Sequence, residues 1–186
     1  MCVVVFSMDG EEAILKTWRW IERAVIGANL CPFAQPSINQ NRFEIQVSEA
    51  QSIDQAYRSA LVYLENLLAN KHDLESALLI FPNALDEFED YLDCLFALEE
   101  ALIELELEGI FQLASFHPHY QFEETTEDDQ ANWSNRSPYP SIHFLREDSI
   151  SKALSAVSHP DKIPKRNVTY LRKLSFSQIK EIFDIK

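Results

Sequence analysis

The run ALLIF at residues 77–81, closed by Pro82, decides the fold. Five consecutive apolar residues ended by a proline form the pattern of a short strand buried on both faces, as in the middle of a parallel sheet. Upstream, residues 52–70 place Ile53, Tyr57, Ala60, Leu64, Leu67 and Leu68 on one helical face. Before that helix, Phe43, Ile45 and Val47 alternate with Glu44 and Gln46, a half-buried strand. Downstream, residues 85–108 repeat Leu85, Phe88, Leu92, Leu95, Leu102 and Leu105 as an inner stripe, and Gly109 is a natural terminator. The opposite face of this helix carries ten acids and no base, the mark of a solvated surface. Residues 110–116 give a third strand and residues 141–145 a fourth.

Helical crossovers between the first three strands imply parallel pairing with right-handed connections. The expected fold is therefore α/β, with α+β as the alternative. It is a single-domain sandwich: a small, mostly parallel sheet of about four strands with helices packed on it. A helix over residues 17–28, with Thr17 as N-cap, precedes the first strand, and the prolines of NLCPFAQP (residues 29–36) stop it. The expected layout is an N-terminal extension at residues 1–16 and one domain over 17–186. Near the carboxyl end, Pro164 suits the first turn of a helix, and Ser175 with Gln178 suits a capping box on another.

At 186 residues and 46% apolar composition, one domain with a substantial core is the simplest reading. No apolar run reaches the roughly 18 residues of a membrane span, and Met1–Phe6 lacks the basic flank of a signal peptide. A cytoplasmic protein is expected. The net charge of −14 disfavours nucleic acid and anionic membrane as partners. Residues 151–186 carry eight Lys/Arg against three Asp/Glu, so the tail is basic and can dock on the acidic body. Three widely spaced cysteines (Cys2, Cys31 and Cys94) make neither a disulfide framework nor a CxxC metal site. Only three glycines occur, too few for a glycine-rich phosphate loop.

Chemistry-bearing residues concentrate in FQLASFHPHYQFEETTEDDQANWSNRSPYPSIHFLRE, residues 111–147. A long polar loop between two strands of a compact domain is functional or disordered, and its aromatic residues argue against disorder. His117 with Asp128 or Asp129 can form a proton-transfer pair, the carboxylate orienting the ring and stabilising its charged form. The alternative is that the two aspartates only cap or turn the loop. Arg136, flanked by Asn132 and Asn135 and followed by Tyr139, can clamp a carboxylate or phosphate, or else pin the loop through an aspartate. His117 and His119 with an aspartate satisfy a two-histidine, one-carboxylate metal pattern, but the assignment adopted contains no metal ligand, and the cofactor stays open. Cys31 before Pro32-Phe33 is either a reactive thiol or a small buried hydrophobe. His143 points away from Ile142 and Phe144, towards the loop end of the sheet or into the core.

GANLCPFA (27–34), QLASFHPHYQF (112–122), the aspartates at 128–129 and NRSPYPSIHFLRE (135–147) resemble the bacterial family known as domain of unknown function 1415. Ile163-Pro164 and Asn167 match its later Ile-Pro…Asn. The resemblance runs from about Thr17 to the carboxyl terminus. It departs at Glu123 and Glu124, where the family has a glycine, and position 119 varies in the family. It implies a bacterial protein and supports the location of a site, without implying a reaction.

Two functions follow as expectations. One is a small-molecule enzyme of hydrolase or lyase type, with His117 carrying the proton, Asp128 or Asp129 orienting it, and Asn132, Asn135, Arg136 and Tyr139 holding a small anion. The other is a non-catalytic ligand-binding or interaction domain, in which the 116–140 loop is a structural polar network. Oligomeric state is not encoded in either.

Overall fold

The computed structural model describes residues 8–70, 73–155 and 157–184. Four strands, β1 (Phe43–Val47), β2 (Ser76–Ile80), β3 (Phe111–Phe116) and β4 (Ser141–Arg146), form one sheet in the order β1-β2-β4-β3. β1 and β2 pair in parallel, while β4 lies antiparallel to both β2 and β3. Three strands thus point one way, as the crossovers require, but the pairing is mixed. The chain returns from the long loop to fill the slot between β2 and β3, which separates two strands the helical crossover alone would leave adjacent. The protein is a single-domain α/β sandwich.

Side-chain alternation sorts the two faces. Ala77 and Leu79 of β2 join Ile142 and Phe144 of β4 beneath α3 (Ile53–Asn70) and α4 (Phe88–Glu104). Leu78 and Ile80 face the other way, with Val47, Ile45 and Phe116. That face is covered by α1 (Met8–Trp20), the π-helical segment Ile21–Gly27 and α7 (Phe176–Phe183). Between them come α2 (Ala34–Asn39), α5 (Glu147–Ser155) and α6 (Ile163–Leu171). Among the described residues, no helix is long and apolar enough to cross a membrane.

The first helix differs from expectation in a way that matters for the site. It starts at Met8, so residues 8–16 form helix rather than an extension, and Ala13 is fully buried. Thr17 is mid-helix: its hydroxyl donates to the Ala13 carbonyl one turn earlier (2.8 Å) instead of capping. Residues 1–7 lie outside the described chain. The helix then widens into the π-segment, where a side chain on Gly27 would stand 2.9 Å from the Glu22 carbonyl oxygen, so only glycine fits. Asn29 in the left-handed region (φ 53°) turns the chain into Cys31-Pro32-Phe33 and α2. Pro36 is tolerated there because the first turn of a helix has spare N–H groups.

The basic tail folds back on the loop. Arg172 pairs with Asp129 (2.6 Å), and the Gln130 amide donates to the Leu174 carbonyl (2.7 Å). The capping box expected at Ser175 and Gln178 is present at the start of α7.

Candidate functional site

The loop from His117 to Pro140 is a network of satisfied hydrogen bonds. His117 is fully buried at the end of β3. Its Nδ1 accepts from the backbone N–H of His119 (3.0 Å), which leaves Nε2 to donate to the Leu85 carbonyl (2.9 Å). The ring packs between Phe88 and Tyr91, with centroids 5.2 and 5.1 Å away. Burial holds its pKa below the ordinary histidine value. The neutral Nε2–H tautomer therefore has no nitrogen left to move a proton.

The carboxylates expected beside it are elsewhere. Asp129 caps the 3-10 turn Gln130–Ser134 by accepting from the Ala131 N–H (2.9 Å). The Arg172 guanidinium, in a two-pronged contact, holds its carboxyl below the usual range. Asp128 is exposed. Neither aspartate bonds His117, so the proton-transfer pair is not assembled. The rings of His117 and His119 lie 5.9 Å apart, centroid to centroid, but the turn at Pro118 buries the first and exposes the second. Among the described residues, no three His, Cys, Asp or Glu side chains gather as a metal ion requires.

The four residues expected to bind substrate also part company. Asn132 is wholly buried and takes four bonds inside the loop, described below. Asn135 donates to the Ser115 carbonyl (3.1 Å) and accepts from Ser134 (2.9 Å). Arg136 donates to the carbonyls of Tyr120 (3.1 Å) and Glu127 (2.9 Å), and stacks 4.8 Å from the Trp133 ring centroid. It faces a groove with Lys16 and Arg19 of α1, and Lys16 lies over the Tyr139 ring. Asn135 faces the other way.

Asn135 borders a cleft of about 630 Å³ between the loop and α6, which the polar pattern of the sequence does not reveal. Val25, Leu30 and Phe116 are among its apolar lining residues, and Glu123, Glu124, Asn135, Asn167 and Arg172 among its polar ones. Asn167 is tied down by bonds to the Leu30 carbonyl (2.7 Å) and from the Arg166 guanidinium (2.9 Å). Arg166 also reaches the Asn29 carbonyl, so α6 is fastened to the turn that presents Cys31. The Cys31 thiol opens on this cleft. Burial raises its pKa, opposed by the backbone N–H groups of Phe33 and Ala34 and by the charge of Arg166.

Behind Cys31 lies a second cavity, of about 120 Å³, sharing Val25, Cys31 and Phe116 with the cleft. His143 of β4 lines it, between the rings of Phe43 and Phe116 at 6.0 and 6.3 Å. Burial pushes His143 from 6.5 down to about 4. An unfolded chain takes up that proton near pH 6.5 while the folded one resists to about 4, so this contribution to stability declines as pH falls through that window. The loss is on the order of 3 kcal/mol when complete. Urea midpoints at pH 7.5 and 5 should therefore differ more for the natural chain than for His143→Phe; equal differences would show that His143 is not the titrating group.

A three-layer α/β domain with a cleft beside the carboxyl end of β3, at Phe116, is thus in place. The chain belongs to the family described as protein of unknown function DUF1415, whose model matches residues 12–181. No curated protein and no solved structure matches it.

Proposed function

We propose that this is a small-molecule-binding domain whose ligand occupies the cleft between the 117–140 loop and α6. The loop's polar network serves as the rigid wall of that site. The observation carrying this reading is the convergence of four distant segments on one cleft. Leu30-Cys31, Phe116 with Phe122, Asn135, and Ile163-Pro164 with Asn167 all line it. They fall within the stretches by which the chain resembles its family. A cleft of about 630 Å³ lined by apolar side chains together with a few polar ones is suited to an organic metabolite.

Acid–base catalysis by His117 has no support from its hydrogen bonds, so the reading adopted is binding rather than a hydrolase or lyase. A small anion remains a second reading for a different place. Arg136, Lys16 and Arg19 line a groove of about 580 Å³ on the other side of the loop, together with Glu12, which pairs with Lys16 (2.7 Å), and Asp184.

The cleft reading is tested by equilibrium dialysis of the full chain against a protein-free metabolite extract, read by mass spectrometry. Val168→Trp, which lays an indole across the cleft, is the comparison. One compound class should be enriched at least tenfold more by the natural chain. Identical profiles for the two proteins would refute it.

A further inference from the structure

We propose that the cavity behind Cys31 is the inner subsite of this cleft, and that it takes a small uncharged, mostly apolar group bearing one hydroxyl or carbonyl oxygen. The inference rests on the cleft being the binding site. Three buried side-chain atoms have no hydrogen-bond partner among the described residues: Trp20 Nε1, Ser37 Oγ and His143 Nε2. All three residues line this one cavity. They come from α1, α2 and β4, so no local sequence feature explains their meeting. Buried polar groups are nearly always paired, and an unpaired cluster at a cavity marks where a partner belongs.

The chemistry of the three atoms narrows that partner. An indole N–H only donates, a serine hydroxyl does either, and a neutral imidazole offers one donor and one acceptor. A hydroxyl oxygen, with one donor and two acceptor sites, can accept from Trp20 and from one of Ser37 and His143 while donating to the other; a carbonyl oxygen only accepts and answers two of the three. The remaining walls are apolar, including Ile21, Phe33, Ile38, Leu78 and Leu145, and no lining side chain carries a formal charge. A charged group would be desolvated there without compensation. Water fits poorly. About 120 Å³ would hold roughly four molecules, each wanting two to four polar partners, and the walls offer few. An apolar cavity of roughly 150 Å³ accepts benzene; this one is somewhat smaller but shares walls with the cleft, so a single ring with one polar handle is its upper limit of size.

The test is a titration of the ¹⁵N-labelled full chain with phenol and, separately, toluene, reading the Trp20 indole N–H. That signal is assigned with Trp18→Phe and Trp133→Phe. Phenol should shift it saturably and bind at least tenfold more tightly than toluene. His143→Phe should erase that preference, and Ser37→Ala, which removes one oxygen, should weaken it if the larger change prevents folding. Equal binding of toluene and phenol, or no saturable shift with either, would overturn the proposal. Failure here while other compounds still perturb the Asn135 and Asn167 side-chain amides would sink the subsite alone. Success here with those amides unmoved by every compound would sink the cleft reading instead.

Discussion

His117→Ala should destabilise the protein by about 3–4 kcal/mol, more than its removal from an exposed catalytic position would. Two sources add. The ring fills space between Phe88 and Tyr91, and truncation leaves a cavity there. The Leu85 carbonyl and the His119 N–H also lose their partners inside the protein. The first of these has a further consequence. Leu85 sits in the left-handed region (φ 65°), an unfavourable place for leucine, and its bond to His117 helps to hold it there at the entrance to α4. Urea denaturation measures the effect directly. A change under about 1 kcal/mol would mean that His117 is not the anchor its bonds describe.

Asn132→Ala is the second large effect, at about 2–4 kcal/mol. Its side-chain oxygen accepts from the Phe122 N–H (3.1 Å) and the Thr125 hydroxyl (2.8 Å). Its amide donates to the carbonyls of Thr126 (2.8 Å) and Glu127 (3.4 Å). One side chain therefore closes the turn from 122 to 127 onto the 3-10 segment; of its four partners, the Glu127 carbonyl also accepts from Arg136. Removal should also open this turn to protease cleavage before global unfolding, since the loop would then sample open states of low energy. Limited proteolysis with mass mapping reads this. Cleavage first appearing in α3 or α4 instead would show that Asn132 does not hold the loop. Asn132→Asp should not rescue it, because a carboxylate keeps the acceptors and loses both donors.

These two residues show where reading the sequence succeeds and where it stops. The strands and crossover helices were legible because ALLIF, FEIQV and the apolar stripe of residues 85–108 leave few ways to bury themselves. The insertion of β4 between β2 and β3 was not, since nothing in residues 117–140 encodes which edge the chain returns to. The helical turns before Thr17 were hidden because Thr17 suits an N-cap as well as a back-bonded helical position. The loop was correctly legible as ordered and dense in polar groups. Residue types, however, do not say who takes each lone pair. His117 and Asp129 look like a catalytic pair until Leu85 and Arg172 claim them. Asn132, Asn135 and Arg136, so close in sequence, point to three different places because the 3-10 turn ends at Ser134 and the chain leaves the helical path at Asn135 (φ −118°). Cys31 was legible as a thiol that is either reactive or buried, whereas Asn167 was visible only as part of the resemblance to the family. The meeting of Trp20, Ser37 and His143 is wholly tertiary and left no trace in the sequence.

The most direct test of the account is a fragment screen on the ¹⁵N-labelled full chain, mapped onto assigned resonances. If the cleft is the binding site, chemically related fragments will perturb the Asn135 and Asn167 side-chain amides and the backbone around Cys31 and Val168, and Val168→Trp will abolish those shifts. Fragments clustering instead on Lys16, Arg19 and Arg136, with the cleft silent, would contradict it and place an anion-binding function on the opposite side of the loop.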